Sequence, residues 1–352
     1  MADMTDILNM VRSGRLTEAT DAIQDNLKGS SAGPSDRPPT DDAEGRPMKD
    51  VTPTARALPD PTPKPKRAKT VRPRKAAWHG ESGRAVTSPP LPEGGTWLSR
   101  QGALPYRVFV PGAAASDAPL IVMLHGCTQT PEDFAAGTAI CAAADAVGAH
   151  AVFPEQGRRG NANLCWNWFE PTHQARSGEA EAIVSVTQDV LAEIGAARTV
   201  HVAGLSAGGA MAAILGANYP EVFASVAIHS GLPVGSARDV GSAFSAMGSG
   251  GQAAVPLAVP AIVFHGTSDR TVAPANGAAF LSGGAVQADT RAAEQGGRSA
   301  TVYTVDGALP VELWEIDGLG HAWSGGDSRG SYADPVGPDA TAEMLRFFAQ
   351  AH

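Results

Sequence analysis

The chain of 352 residues lacks several features that would assign it to a membrane or metal-binding class. It contains no run of 18 apolar residues, so the sequence predicts no transmembrane helix. Its N-terminus, M-A-D-M-T-D-I-L, is acidic and has no apolar core of a secretory signal, which favours a cytoplasmic location. The cysteines show no C-x-x-C spacing, which argues against a structural zinc site; they are Cys127, Cys141 and Cys165.

Positive charge and aromatic side chains are also scarce. The formal net charge is -9, and the excess of acidic residues is located in residues 96–352. This argues against a nucleic acid partner. Aromatic residues make up 6% of the chain, so a local concentration of them is informative. By contrast, 40 glycines and 27 prolines predict many turns and a flexible segment.

The first 95 residues differ in composition from the rest. Apolar residues at helical spacing on either side of Ser13 and Gly14 predict a helical segment over 1–28. Residues 29–95 are rich in proline, serine, threonine and charge, and we expect them to form a disordered linker. Within it, the basic stretch 64–75 is either a solvated part of the linker or a tether to an anionic surface.

From residue 96 onward, strand patterns alternate with helical ones. Apolar runs typical of strands buried on both faces occur at 120–125, 149–154, 200–203 and 261–265. Helical patterns occur at 139–147, 179–194 and 207–217. We therefore expect residues 96–352 to form an α/β domain, in which helices cover both faces of a mainly parallel twisted sheet. In such a sheet, ligand sites lie at the carboxyl ends of the strands.

The stretch 204–208, G-L-S-A-G, has the G-x-S-x-G pattern of a nucleophile elbow. A strand pattern precedes it and a helical pattern follows it, which is the context that this motif requires. A sharp turn from strand to helix brings the backbone close to its neighbours, so Cβ atoms at Gly204 and Gly208 would collide. The turn would project the Ser206 hydroxyl above the sheet, near the free N–H groups of the new helix.

Two more polar residues follow strand patterns further along the chain. Asp269 follows the pattern at 261–265, and His321 follows the last one, at 311–316. Together with Ser206 they give the order Ser, Asp, His that is typical of α/β-hydrolases. An imidazole would take the serine proton, and a carboxylate would fix the imidazole tautomer. The sequence therefore predicts these three residues as a catalytic triad.

Other residues compete for these roles. Asp306 and Asp317 are the rival carboxylates, and we prefer Asp269 because it follows a strand in the expected place. His265 lies inside a strand end, too early to be the base, and we expect it to be a hydrogen-bonded core histidine. His229 lies on the strand after the elbow helix, where we do not expect it to line the pocket.

An oxyanion hole needs two backbone N–H donors aimed at the developing charge. We expect them at Ala207, directly after the nucleophile, and at Cys127 in the loop H-G-C-T that follows an early strand. The aromatic segment C-W-N-W-F and the aromatic residue after the base suggest a substrate wall, with core packing as the alternative. The candidate wall residues are Trp166, Trp168 and Trp323.

Cys127 and Cys165 both fall in loops that we expect at the same edge of the sheet. We therefore hypothesise that they come close enough to form a disulfide, with two adjacent reduced thiols as the alternative in a reducing compartment. Cys141 lies in an Ala-rich helical pattern, and we expect it to be an inert, small core residue.

Five motifs of the predicted α/β domain occur in register. They are L-H-G-C-T-Q at 124–129, C-W-N-W-F at 165–169, G-L-S-A-G-G at 204–209, H-G-T-S-D at 265–269 and G-H-A-W-S-G-G at 320–326. The chain thereby resembles the polyhydroxybutyrate depolymerase family of esterases, relatives of feruloyl and acetylxylan esterases. The resemblance implies an α/β-hydrolase fold and carboxylic ester hydrolysis without a metal or cofactor. It implies Ser206 as nucleophile, Asp269 as acid, His321 as base and Cys127 as an oxyanion donor.

The expected substrates are short hydroxyacyl oligomers, polyesters or small acyl esters. Secreted polymer degraders of this kind usually carry a signal peptide and a polymer-binding module, and neither is evident here. We therefore expect soluble oligomers rather than solid polymer, although the resemblance leaves an extracellular location open. Two alternatives stay open: a feruloyl or acetylxylan-type esterase, and a surface-binding protein whose hydrolase domain is vestigial.

Overall fold

The computed structural model describes residues 86–114, 117–195, 199–281, 285–291 and 297–350. The predicted helical segment 1–28 and nearly all of the predicted linker 29–95, with its basic stretch 64–75, lie outside these residues. Their assignments stay predictions. Among the described residues, every helix is too short or too polar to cross a membrane.

The main sheet of the described residues has ten strands. They are β1 (Thr96–Arg100), β2 (Tyr106–Val110), β3 (Leu120–Leu124), β4 (His150–Pro154), β5 (Val200–Leu205), β6 (Ser225–His229), β7 (Ala261–Gly266), β8 (Val286–Arg291), β9 (Ala300–Val305) and β10 (Val311–Ile316). Across the sheet they lie in the order β1-β2-β4-β3-β5-β6-β7-β10-β9-β8. The strands from β4 to β10 in this order pair in parallel, whereas those at both edges pair antiparallel. Two short strands, β11 (Trp323–Ser324) and β12 (Ala333–Asp334), form a separate parallel pair.

Helices pack on both faces of the main sheet. They are α1 (Pro131–Thr138), α2 (Ile140–Ala146), α3 (Gly178–Ile194), α4 (Ala207–Asn218), α5 (Val240–Ser249), α6 (Ala275–Ala278) and α7 (Ala340–Gln350). Because successive strand residues point to opposite faces, β3 supplies Val122 and Leu124 to a core cluster with α3 and α4. It supplies Ile121 and Met123 to a second cluster with α1, α2 and α7. This confirms the predicted α/β architecture.

The structure contains elements that the sequence patterns did not single out. α1 begins after Thr130, whose hydroxyl accepts a hydrogen bond from Asp133 N–H at 3.2 Å, and a proline occupies its first turn. Ala139 has a left-handed backbone, with φ 53°, and separates α1 from α2, so a further helix precedes the predicted one. At one edge, all residues of β8 are exposed, which explains why no apolar alternation marks this strand.

The parallel strands bring distant parts of the chain to one edge of the sheet. β3, β5, β7 and β10 are joined directly or through β6, and all run in the same direction. The loops that leave their carboxyl ends carry the predicted oxyanion donor, nucleophile, acid and base in that order. The fold therefore gathers the four loops at the edge where ligands bind in sheets of this kind.

Candidate active site

Ser206 lies at the turn between β5 and α4. Its backbone has φ 59° and ψ -118°, a conformation that costs a residue other than glycine on the order of 1–3 kcal/mol. The turn is held on both sides, because Ser206 N–H donates to His229 O at 2.8 Å and Ala210 N–H donates to Ser206 O at 2.9 Å. The serine is thereby fixed at the N-terminus of α4, where the helix dipole favours negative charge.

The glycines on either side of Ser206 make this turn possible. A Cβ on Gly204 would lie 2.3 Å from the carbonyl carbon of Gly208, and a Cβ on Gly208 would lie 2.1 Å from Leu124 O. Both contacts involve backbone atoms, which cannot move aside as the end of a flexible side chain can. The steric reason that the sequence suggested for these two glycines is therefore confirmed.

Asp269 and His321 come together from the loops after β7 and β10. His321 Nδ1–H donates to Asp269 Oδ2 at 2.7 Å. The other carboxylate oxygen, Oδ1, accepts from the N–H groups of Thr271 and Val272, each at 2.9 Å. The Asp269 side chain is fully buried, and that of His321 is 9% exposed. Because Nδ1 donates to the carboxylate, Nε2 is the imidazole nitrogen left to accept a proton.

The pKa of Asp269 is lowered even though its carboxyl group is buried. Burial by itself raises this pKa, but the hydrogen bond and charge of His321, together with the N–H of Val272, lower it by more. The carboxylate therefore stays ionised at neutral pH. An ionised partner is what a histidine needs if it is to carry a positive charge during a reaction.

In this structure Ser206 and His321 are not hydrogen-bonded to each other. Within the described residues, the Asp269–His321 hydrogen bond is present, and no hydrogen bond leads from the Ser206 hydroxyl. Such contacts are often open without substrate and tighten when it binds. Ser206 is 8% exposed, so its side chain lies at the bottom of the site rather than on the outer surface.

The loop after β3 approaches Ser206 from another side. A Cβ on Gly126 would lie 3.6 Å from Ser206 Cβ, so the H-G-C motif is next to the candidate nucleophile. Gly126 N–H donates to Gln129 Oε1 at 2.9 Å, and Thr128 N–H donates to Asn163 O at 2.7 Å. These hydrogen bonds fix the course of the loop beside the serine.

A disulfide ties this loop to the aromatic segment. Cys127 and Cys165, separated by 38 residues, are bridged, with their Cα atoms 4.2 Å apart. Of the two outcomes that the sequence left open, the structure has the disulfide. Cys141 is free and buried, and burial raises the pKa of its thiol to about 12. The Cys141 thiol therefore stays protonated, as expected of an inert core residue.

Comparison with known proteins identifies the family to which the chain belongs. The sequence profile of a family described as esterase PHB depolymerase matches residues 104–302, which is more than half of the chain. The chain belongs to this family. Poly(3-hydroxyalkanoate) depolymerase C from Paucimonas lemoignei is 35% identical to it over 236 residues, which cover 60% of this chain and 56% of that protein. Feruloyl esterase B from Neurospora crassa is 34% identical over 140 residues, covering 39% of this chain and 47% of that protein.

The relatives are longer than the matched region, and the chain spans about half the length of the curated relatives it matches. Among solved structures, an acetyl xylan esterase from Aspergillus awamori aligns with a TM-score of 0.56 and 19% identity. The alignment covers 72% of this chain and 99% of that one. This likeness shows that the chain, a member of the esterase PHB depolymerase family, has the α/β-hydrolase fold.

The rival carboxylates of this family member lie on the surface. Asp317 is exposed, and its Oδ1 accepts a long hydrogen bond of 3.4 Å from Thr267 Oγ1. Asp306 is exposed in the turn that precedes β10, at the opposite edge of the sheet from the loop that carries His321. The geometry therefore supports Asp269 over both alternatives.

Buried histidines brace the loops around the site. His265 Nε2–H donates to Val272 O at 2.9 Å and lies 3.7 Å from Asp269 Oδ2, and burial lowers its pKa. It is the hydrogen-bonded core histidine that the sequence suggested. His229 Nε2 accepts from Ser324 N–H at 3.0 Å, and burial lowers its pKa to about 3. It supports the segment just after His321.

A third histidine lies beneath the H-G-C loop. His125 Nδ1–H donates to Gly126 O at 2.8 Å, and its Nε2 accepts from Gln156 N–H at 3.1 Å. Burial lowers the pKa of His125 to about 4, so the ring is neutral and can accept this backbone hydrogen bond. In the described part of the chain, no three histidine, cysteine or acidic side chains are grouped so as to hold a metal ion.

The three tryptophans expected to wall a substrate cleft are buried instead. Their exposed fractions are 0% for Trp166, 6% for Trp168 and 1% for Trp323. Trp166 Nε1–H donates to His125 O at 3.1 Å, and Trp323 Nε1–H donates to Thr341 Oγ1 at 3.0 Å. Trp166 and Trp323 therefore pack in the core with their N–H groups hydrogen-bonded, which is the alternative that the sequence left open. A substrate contact for Trp168, which is about as exposed as Ser206, stays a prediction.

An exposed aromatic side chain that the sequence patterns did not single out lies beside the candidate base. Tyr332 is 39% exposed, and its ring centroid lies 6.3 Å from that of His321. It belongs to a Gly-rich loop, G-D-S-R-G-S-Y-A-D, that has no helical or strand period. The signal that could have found it is an isolated aromatic residue in a polar loop soon after the candidate base.

Proposed function

We propose that this protein is a serine carboxylesterase that cleaves ester bonds through a covalent acyl-enzyme, with residues 96–352 as its catalytic domain. The observation that carries the proposal is the 2.7 Å Asp269–His321 hydrogen bond, at the same edge of the sheet as a serine in an elbow conformation. Family membership supports the reaction class, since the relatives have depolymerase and esterase names.

The first half of the reaction forms the acyl-enzyme. His321 Nε2 takes the proton from Ser206 Oγ as this oxygen attacks the ester carbonyl carbon. Asp269 stabilises the imidazolium and holds its tautomer, and its lowered pKa keeps it ionised for that role. When the tetrahedral intermediate collapses, the bond to the alcohol oxygen breaks, and the alcohol leaves with the proton from His321.

The carbonyl oxygen gains negative charge in both tetrahedral intermediates. We assign its stabilisation to the backbone N–H groups of Cys127 and Ala207, each of which would contribute about 10²–10³ in kcat. The disulfide and the Gly126–Gln129 hydrogen bond support this role by fixing the loop. Water then attacks the acyl-enzyme with His321 as base, releasing the acid and restoring the Ser206 hydroxyl.

We infer that the substrates are esters of short hydroxyacyl oligomers. Two relatives support this, the Paucimonas lemoignei depolymerase and the poly(3-hydroxybutyrate) depolymerase of Ralstonia pickettii, which is 29% identical over 246 residues. A second candidate is a feruloyl-type ester, favoured by the likeness to feruloyl esterase B. Hydroxybutyrate oligomers and methyl ferulate, assayed at equal concentration, separate the two, and a kcat/KM higher for the ferulate overturns the first choice.

The mechanism is tested by Ser206→Ala in the full chain. Because the nucleophile is lost, kcat for p-nitrophenyl butyrate should fall by about 10⁴ or more with an unchanged circular-dichroism spectrum. A fluorophosphonate probe should label the wild type at Ser206 and leave the variant unlabelled. Near-normal activity of the variant contradicts the mechanism. A folded wild type with neither hydrolysis nor labelling would favour the surface-binding alternative with a vestigial hydrolase domain.

A further inference from the structure

Tyr332 lies between the candidate base and the oxyanion loop. Its ring meets the His321 ring edge to face, with an angle of 80° between the planes and 6.3 Å between the centroids. Its hydroxyl lies 3.4 Å from Thr128 Oγ1, and Thr128 directly follows Cys127. One side chain therefore contacts both the candidate base and the loop that carries the expected oxyanion donor.

The position of this side chain is built into the fold rather than left to a loose loop. Ser331 N–H donates to Asp133 Oδ1 at 2.9 Å, and Gln129 Nε2–H donates to Ser331 O at 3.0 Å. On the other side, Trp323 N–H donates to Tyr332 O at 2.7 Å. These contacts hold Tyr332 at φ 51°.

A left-handed backbone is unfavourable for a side chain of this size, and such conformations persist where the surrounding structure fixes them. Thr128, the residue that the Tyr332 hydroxyl faces, is also left-handed, at φ 66°. Two strained residues thus meet beside the candidate base. The cost is easier to explain if the pair shapes the site than if Tyr332 is an ordinary surface residue.

The exposure of Tyr332 also distinguishes it from the other aromatic residues around the site. Trp166, Trp168 and Trp323 are buried, whereas Tyr332 is the one aromatic side chain among the large apolar residues that the described part of the chain exposes. Isolated exposed apolar residues are common on proteins. Here the inference rests on the contacts with His321 and Thr128, and the exposure means that a ligand can reach the ring.

We infer that Tyr332 forms the wall that contacts the alcohol part of the ester and so determines alcohol specificity. The reason is the route of the proton, because His321 Nε2 delivers it to the departing alcohol oxygen, and the alcohol must therefore lie beside His321. An aromatic ring packed against His321 borders that space. For an oligomer, the alcohol part is the next hydroxyacyl unit. The inference rests on the proposed esterase function.

The inference is tested with two ester series and the full chain. The alcohol series keeps the butyryl group and varies the alcohol from methyl to butyl to benzyl, while the acyl series keeps ethanol and varies the acid from acetate to hexanoate. Tyr332→Ala should lower kcat/KM for benzyl butyrate roughly tenfold more than for methyl butyrate, because the lost ring contacts only the larger alcohol. The ratios within the acyl series should change by less than about threefold.

Two further variants separate contact from structure. Tyr332→Phe keeps the ring and should keep the alcohol selectivity of the wild type within about twofold. Val336→Ala removes another exposed apolar side chain, just beyond β12, and should leave both series unchanged. The rate at which a fluorophosphonate labels Ser206 reports whether the site stays assembled, since the leaving group of this probe is fluoride and no alcohol departs. We expect less than a threefold change in Tyr332→Ala.

The outcomes are distinct. A loss that is equal for all esters, or larger in the acyl series than in the alcohol series, overturns the assignment of Tyr332 while labelling and hydrolysis by the wild type leave the esterase function in place. A collapse of labelling in Tyr332→Ala, with Tyr332→Phe normal, also overturns it, because the ring then acts on site assembly. Absence of both hydrolysis and labelling in the folded wild type overturns the esterase function and this inference with it.

Discussion

The two halves of the candidate site are held in different ways. On the nucleophile side, backbone packs so closely against backbone that neither Gly204 nor Gly208 has room for a Cβ. On the acid–base side, the Asp269 carboxylate and the His321 imidazole are placed by hydrogen bonds between side chains and to backbone N–H groups. The geometry of the nucleophile side therefore depends on the absence of side-chain atoms at the two glycines. The geometry of the acid–base side depends on the charge and protonation of Asp269 and His321. Substitutions should separate the two dependences.

The largest effect is expected from adding a side-chain atom to a glycine on the nucleophile side. Gly208→Ala places a Cβ 2.1 Å from Leu124 O, and because both partners are backbone, the elbow must open. We expect a destabilisation of at least about 3 kcal/mol, with little folded protein recovered. Urea unfolding followed by circular dichroism measures it.

The matched control is Gly248→Ala on α5. A Cβ there meets nothing within 4 Å, so the change should leave the free energy of unfolding unchanged or raise it by up to about 1 kcal/mol. Equal stability of Gly208→Ala and Gly248→Ala would show that the elbow is not held by steric exclusion.

On the acid–base side, a change of charge at constant volume should spare the fold and affect the reaction. Asp269→Asn should lower kcat by roughly 10²–10⁴, because an amide neither holds the His321 tautomer nor stabilises the imidazolium. Steady-state hydrolysis of p-nitrophenyl butyrate measures this loss, with the thermal unfolding midpoint recorded in parallel. Asp317→Asn, which changes an exposed carboxylate, is the control. If Asp317→Asn is the impaired variant, the acid has been assigned to the wrong residue.

A smaller effect should be common to both halves, because each rests on a buried neutral histidine. The folded pKa values are about 4 for His125 and about 3 for His229, below the value of about 6.5 for an exposed histidine. The unfolded chain therefore binds more protons between these values. Stability is fully present above about pH 6.5 and falls as the pH is lowered, by about 1.4 kcal/mol per pH unit for each histidine.

Urea unfolding at about pH 6 and about pH 4.5 measures this slope. His229→Gln should reduce it by about 1.4 kcal/mol per pH unit, and His125→Gln should do the same on the nucleophile side. Slopes that match the wild type in both variants would show that these histidines do not control the acid sensitivity of the fold. A change in one variant alone would assign that sensitivity to one half of the site.

The α/β class and the placement of Asp269 beside His321 could be anticipated because local signals encode them. Strands buried on both faces leave continuous apolar runs, and polar residues that follow such runs meet at one edge of a parallel sheet. The proximity of Cys127 and Cys165 was expected because their loops lie at the same edge of the sheet, and a disulfide was one of the two outcomes left open. Catalytic roles for Ser206, Asp269 and His321 stay predictions until the variants are assayed.

The choice between core packing and a substrate wall for the tryptophans, and the position of Tyr332, could not be made from the sequence, because both depend on contacts between distant residues. Trp323 becomes a core residue only when Thr341 and α7 pack over it. Tyr332 reaches His321 because Asp133, almost 200 positions earlier in the chain, holds the neighbouring Ser331. A Gly-rich loop has no helical or strand periodicity in its sequence. Its path is therefore set by contacts with residues far away in the chain, which a local pattern cannot identify.

The disulfide has a consequence for biosynthesis that follows from the order of residues in the chain. Cys127 and Cys165 both precede Ser206, while Asp269 and His321 come later still. Because a ribosome releases the chain N-terminus first, at roughly 5–20 residues per second, both thiols exist roughly 8–30 seconds before the base has been synthesised. An oxidant can therefore cross-link the nascent chain while its hydrolytic machinery is still incomplete. Of the residues of the candidate site, the last to be synthesised is then His321, the one that moves the proton.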